Sequence, residues 1–158
     1  MAETFLITPI GYVKSSRQEV FDDDWHKEQF AIELAPEFNN SALKGLDSFS
    51  HVEVIFYLHK VDTEKIEKSA RHPRNNKAWP KVGIFSQRVK NRPNRLGSTI
   101  AEIVSIHGTT IHLSGLDAID GTPVIDIKPV MSEFMPQGAI SQPAWSKEIM
   151  KGYWNKVD

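Results

Sequence analysis

Four cationic side chains, Arg88, Lys90, Arg92 and Arg95, fall within eight residues of the run Arg-Val-Lys-Asn-Arg-Pro-Asn-Arg. Pro93 fixes its own φ and biases Arg92 towards extended backbone. Asn94 can bond its own backbone in a turn, and Gly97 lets the chain bend sharply. Guanidinium groups on a stiff turn suit planar, bidentate recognition of a carboxylate or a phosphate. A charged hairpin facing solvent is the plain alternative.

Two acidic stretches could complement those cations. In Gly-Leu-Asp-Ala-Ile-Asp-Gly-Thr-Pro, 115–123, Asp117 and Asp120 bracket a turn sharpened by Gly121 and Pro123. Carboxylates there can accept ribose hydroxyls, stabilise a sulfonium cation, or simply cap backbone N–H groups in an Asx-turn. In Phe-Asp-Asp-Asp-Trp, 21–25, three carboxylates precede an aromatic ring. They could steer a cation while Trp25 stacks on a base, or form an acidic solvated loop.

Several chemistries are excluded. The chain has no cysteine, so thiolate and disulfide chemistry is absent. Neither a phosphate-binding G-x-x-x-x-G-K-[ST] loop nor a G-x-G-x-x-G fingerprint occurs. There is no G-x-S-x-G elbow and no H-E-x-x-H pair among the six histidines. His51 and His59 share a strand face, but eight residues of strand separate them by roughly 26 Å. They cannot ligate one metal, and no metal site is expected. His59 remains a candidate base at the end of its strand.

The charge is unevenly placed. Net charge is −1, yet residues 60–95 hold eleven basic and three acidic side chains. A concentrated basic segment attracts polyanions even when the whole chain is near neutral. Its length of 158 residues, 40% hydrophobic and 25% charged, fits one globular domain, 1–158. The N-terminal Met-Ala-Glu-Thr-Phe-Leu-Ile lacks a basic flank and a long apolar run, and no stretch reaches the ~20 apolar residues of a membrane helix. The expectation is a soluble, cytoplasmic protein.

These residues need a scaffold, and the hydrophobic periodicity supplies one. Phe5–Val13 reads as a strand interrupted at Pro9-Ile10-Gly11, with Gly11 marking a bulge or close backbone approach. Residues 28–35 read as a short strand, and Ser41–Leu46 as one helical turn. Residues 50–61 carry the clearest strand, with Val52, Val54, Phe56 and Leu58 on one face. Residues 60–80 show neither period, as expected of a functional lid or loop. Residues 82–86 read as a strand. Residues 98–106 and 109–116 form a hairpin about His107-Gly108, and 123–131 alternates like a half-buried strand. The segment from Gln142 to Trp154 reads as a terminal helix, with Trp145, Ile149 and Tyr153 near one face. The sum is a mainly β protein: a small barrel of six to seven strands with long loops and a C-terminal helix.

In combination these motifs resemble the TsaA-like family of barrel-type tRNA methyltransferases. The resemblance runs through Pro9-Ile10-Gly11, Lys44-Gly45-Leu46-Asp47, Phe49-Ser50-His51 and Leu58-His59-Lys60. It continues through Arg71-His72-Pro73-Arg74, Gly83-Ile84-Phe85-Ser86-Gln87-Arg88, Arg92-Pro93-Asn94 with Gly97, and the whole of Asp117–Pro129. It implies a β-barrel that binds S-adenosylmethionine and works as a homodimer. It implies methylation of the exocyclic nitrogen of threonylcarbamoyl-adenosine in the tRNA anticodon loop. The implied cofactor positions are Asp23, Asp24, Trp25, His59, Lys60, Arg88, Ser98, Asp117, Ala118, Ile119 and Asp120. Arg71, Arg74, Arg92, Asn94 and Arg95 would face RNA. The chain departs from the family pattern in reading Arg-Pro-Asn-Arg-Leu-Gly and Arg-His-Pro-Arg, and it fits a short subgroup without the family's C-terminal domain. Two alternatives stand beside this reading: the same barrel methylating another nucleic acid or a small metabolite, and a non-catalytic S-adenosylmethionine-binding module.

Overall fold

The computed structural model describes residues 2–154. Its strands are β1 (Gly11–Ser15), β2 (Phe30–Leu34), β3 (His51–Tyr57), β4 (Ala70–Arg71), β5 (Val82–Gly83), β6 (Leu96–His107), β7 (Thr110–Ser114) and β8 (Pro123–Pro129). Six of them close a barrel in the order β1-β2-β7-β6-β3-β8, with every pairing antiparallel. β4 and β5 form a separate two-stranded ribbon. The expected mainly β barrel with long loops and a C-terminal helix is the observed architecture.

Alternation builds the interior. Val52, Val54 and Phe56 of β3 are buried, whereas their neighbours are only half-buried. Val13, Ile32, Ile111 and Val124 contribute from the other strands, Leu116 from the bend after β7, and all are sealed from solvent. Period-2 strands with one apolar face close on themselves because closure leaves no unpaired barrel edge. The ladder between β1 and β8 is the shortest, Gly11 opposite Val124 and Tyr12 opposite Pro123. It is extended on either side by backbone bonds from Ile10 to Val124, Val13 to Thr122 and Gly121 to Val13, whereas β3 pairs with β6 along its whole length from His51 to Tyr57.

Glycine chemistry explains two close approaches. A side chain on Gly11 would lie 2.5 Å from the Glu33 carbonyl oxygen, so the close approach expected there is real. Gly97 differs from expectation. It is not a bend but a residue of β6, directly opposite Phe56, and any Cβ would lie 2.4 Å from the Phe56 ring. Its missing side chain makes room for that ring.

Other expectations shift. The strand expected from Phe5 starts only at Gly11, and Phe5, Leu6 and Ile7 remain exposed outside any strand. Residues 82–86 give two paired residues and then a 3-10 turn, Ile84–Ser86, rather than one strand. The helical turn near Ser41 is a 3-10 turn, Asn40–Leu43. The terminal helix, α1, is shorter than expected, Ala144–Ile149.

Candidate functional site

β3 and β7 end, and β6 begins, at one mouth of the barrel. A cleft of about 1430 Å³ opens there. Its walls come from the β3 end (Phe56–Lys60), the cationic loop (Gln87–Arg92), the first half of β6 (Leu96–Ile100), the bend after β7 (Ser114–Ile119) and the C-terminal segment.

The bend is built on a ladder that stops. Glu102 pairs with Ser114, the last residue of β7. Carried on unchanged, that register would set Thr99 opposite Asp117. The two side chains do meet, because the Thr99 hydroxyl donates to Asp117 Oδ1. The backbone ladder does not continue. Among the described residues, the amides of Asp117, Ala118 and Ile119 find no hydrogen-bond acceptor. Leu116, Ala118 and Ile119 are nonetheless buried. Unpaired main-chain donors beside a cleft are free to bond a ligand or water.

The two aspartates of the bend part company. Asp117 lines the cleft, and Tyr153 from the C-terminal segment donates its hydroxyl to Asp117 Oδ2. Asp120 turns the other way. It accepts from the Ser15 amide at 3.0 Å, and its own amide donates to the Arg17 carbonyl at 2.7 Å. The Ser15 amide holds the Asp120 carboxyl below its usual range. Asp120 thus ties the bend to the end of β1, as an Asx-type cap does.

The end of β3 places His59 and Lys60 on the cleft wall. The His59 amide bonds the Tyr57 carbonyl at 2.8 Å, a tight turn that re-aims the chain as the strand stops. Burial, and then the neighbouring Lys60 charge, lowers the His59 pKa, so the imidazole is neutral at physiological pH. The Lys60 ammonium donates to the Gln18 carbonyl at 3.2 Å.

The cationic loop is a turn, as its proline and asparagine suggest. The Arg95 amide bonds the Arg92 carbonyl at 3.0 Å, and Arg95 takes the left-handed conformation with φ 50°. Arg88 donates to the Ser98 carbonyl, and the Ser98 hydroxyl donates to Glu53 at 2.9 Å. Arg92 donates to the Gln87 carbonyl at 2.8 Å. Arg95 donates to the Val61 carbonyl at 3.2 Å and lies over the Tyr57 ring. Asn94 is exposed at the tip. Each guanidinium has five donors, so these bonds leave several free. Arg88, Lys90 and Arg92 line the cleft.

The acidic loop is organised by a residue that sequence reasoning missed. Arg17 is 3% exposed. It pairs with Glu28 at 2.9 Å, donates to the carbonyls of Phe21, Asp23 and Asp24, and lies against the rings of Phe21 and Trp25. With its backbone gathered in this way, the loop turns its carboxylates outward. Asp23 holds Arg74 in a two-bond fork at 2.8 and 3.0 Å, and Asp22 approaches both Arg74 and Lys90. Asp24 pairs with Lys27. Trp25 is buried in the core with one edge on the cleft. Arg71 lies apart, bonded to Asn75. Arg17, Thr99, Glu53 and Tyr153 carried no functional signal in the sequence, where Tyr153 figured only on a face of the expected helix, since their partners are backbone carbonyls or residues distant in the chain.

A family model described as the tRNA-methyltransferase O N-terminal domain matches residues 17–134. The tRNA (adenine(37)-N6)-methyltransferase of Homo sapiens is 42% identical over 108 residues, covering 67% of this chain and 24% of that protein. A putative S-adenosylmethionine-dependent methyltransferase, RcsF, of Pseudomonas aeruginosa is 38% identical over 132 residues, 78% of this chain and 53% of that one. A probable S-adenosyl-L-methionine-binding protein of Methanothermobacter thermautotrophicus is 35% identical over 78% of this chain and 88% of its own length. A crystal structure of TrmO from Pseudomonas aeruginosa superposes with a TM-score of 0.73 at 28% identity, covering 92% of this chain and 63% of that one. The chain therefore spans about a quarter of its mammalian relatives and about half of the Pseudomonas protein.

Proposed function

Because the chain belongs to the tRNA-methyltransferase O N-terminal domain family, we propose that it is an S-adenosylmethionine-dependent methyltransferase acting on the exocyclic nitrogen of (threonylcarbamoyl)adenosine in a tRNA anticodon loop. The observation that carries this reading is the meeting of Asp117, neutral His59 and the cationic loop around one cleft.

The residues present fit the cofactor. The unpaired amides of Asp117–Ile119 suit the edge of a purine, and Phe56, Leu58, Ala118 and Ile119 supply apolar walls for its faces. Asp117 suits a ribose hydroxyl or the cationic sulfur, and Arg88 the methionyl carboxylate. When bound, S-adenosylmethionine supplies an activated methyl group on a cationic sulfur for in-line displacement. The protein's own part is mainly positioning. A nitrogen beside a carbonyl is a poor nucleophile, and the unprotonated His59 imidazole is placed to accept its proton. Arg74, Arg92 and Arg95, with Arg71 and Asn94 further out, would hold phosphates of a loop whose base is splayed out. Asp23 and Asp24 act through the acidic loop rather than on the cofactor directly. A homodimer in the cytoplasm completes the reading.

Transfer of labelled methyl from S-adenosylmethionine to total tRNA tests the activity. Label in small molecules or other nucleic acid would redirect the substrate. Arg92→Ala with Arg95→Ala should flatten the log–log salt dependence of tRNA binding by about 1–2 units. An unchanged slope removes the loop from the RNA surface. A second reading, a binding module that holds S-adenosylmethionine without turnover, is favoured by the length match to the Methanothermobacter protein. Stoichiometric binding with no transfer to any acceptor would establish it.

A further inference from the structure

Three carboxylates of the cleft wall, Asp117, Glu53 and Asp62, make no ion pair among the described residues, unlike the acids of the 21–28 segment; of the three only Asp117 is held by a hydroxyl on each oxygen. Asp22, Asp23 and Asp24 each approach a cation, and Glu28 is bound by Arg17. The two Asp117 oxygens instead accept from two neutral hydroxyls, Thr99 on Oδ1 and Tyr153 on Oδ2.

Tyr153 arrives from outside the family-matched residues, on the segment that follows α1. That segment is strapped across the cleft at two places, and α1 before it at a third. The Asp24 and Trp25 amides donate to the Gly152 and Tyr153 carbonyls, both at 3.0 Å, and Trp79 Nε1 donates to Glu148 at 2.8 Å. Gly152 takes φ 74°, which turns the chain so that the next side chain points inward. With the strap in place the cleft still has room for a nucleoside-sized ligand, so the strap forms a wall and not a plug.

We propose that Tyr153 is a positioning residue which, with Thr99, orients the Asp117 carboxylate towards a cationic ligand while leaving it free of any direct ion pair. A lysine or arginine in the same place would orient the carboxylate equally well but cancel its field. Two hydroxyls fix the geometry and keep the charge. Burial, and the Asp117 charge beside it, push the Tyr153 phenol above its ordinary range, so it acts as a donor and not as a second anion. The consequence is discrimination. The site favours the positively charged sulfonium over the neutral thioether left after methyl transfer, so the spent form leaves more readily.

This inference rests on the cofactor reading above, and the test separates the two. Affinities of the full chain for S-adenosylmethionine and for S-adenosylhomocysteine, its neutral thioether, are measured by calorimetry. The variants are Tyr153→Phe, which keeps the ring, Thr99→Val, and Thr99→Ser, which keeps the hydroxyl. Removing one neutral hydrogen bond to a charged group should weaken sulfonium binding about five- to tenfold. Thioether binding should change less than about twofold, and Thr99→Ser should behave as wild type. Equal weakening of both ligands would show that Tyr153 merely walls the cleft, and would overturn the proposal. So would unchanged affinity for both. If the wild-type chain binds neither ligand, the cofactor reading itself falls and takes this inference with it.

Discussion

The acidic loop at 21–25 and the acidic bend at 115–121 contain the same chemistry and use it in opposite ways. In the loop, every carboxylate meets a cation and the backbone is gathered around buried Arg17. In the bend, one carboxylate caps a backbone amide and the other meets only hydroxyls. A carboxylate answered by a cation is part of the scaffold. One oriented by neutral donors keeps its field for whatever enters the cleft. Aspartate in a turn therefore says little about role until the charge of its partner is known.

The largest effect expected from this contrast is on Arg17. Arg17→Met leaves Glu28 unpaired and three carbonyls without their donor, and should cost about 3–5 kcal/mol in chemical denaturation. A loss below about 1 kcal/mol would mean the acidic loop holds itself.

Asp120→Ala comes next, at about 1 kcal/mol near neutral pH, since its bond to the Ser15 amide is partly solvated. The sign with pH follows from its lowered carboxyl. The folded form binds its proton more weakly than the unfolded chain, whose carboxyl titrates near its ordinary value of 3.8. The stabilisation is complete above that value and disappears as pH falls through the lower folded one. The gap between wild type and Asp120→Ala should close in acid, and a gap that persists at the acid end would assign the cost to packing.

Asp23→Asn should cost about 1 kcal/mol, and less in high salt, because its pair with Arg74 is half-exposed. The smallest effect on stability belongs to Asp117→Asn, within about 0.5 kcal/mol. The same variant should show a loss of S-adenosylmethionine affinity of about tenfold or more, from removing a charge that no direct ion pair answers. Were Asp117→Asn strongly destabilising, the bend would be scaffold like the loop, and the contrast would fail.

How far these roles could be read from the sequence depends on the range of each interaction. β3, the β6–β7 hairpin and β8 were legible because period-2 alternation is local. The start of β1 was not, since apolar Phe5–Ile7 carries the same signal as a paired strand, and only the absence of a partner leaves it exposed. Gly97 was read as a bend, although its reason is a ring on the facing strand. Asp117, Asp120, Arg88 and His59 stood out by residue type and turn context. Arg17 and Tyr153 did not, because one serves carbonyls and the other bonds a residue 36 positions away. The division of labour between Asp117 and Asp120 was equally hidden, since either could have faced inward.

The brief junction of β1 with β8 has a mechanical consequence. A cylinder fastened along five sides by longer ladders and along the sixth by two strand pairs and the backbone bonds of Ile10, Val13 and Gly121 beside them has its shortest ladder at that line. Amide exchange should thus be fastest there among the barrel strands. The chain that forms that line, entering β8 at Pro123, comes directly from the acidic bend, and Asp120 is the rivet beside it. The shortest ladder of the cylinder and the bend that walls the cleft are thus one continuous stretch of chain.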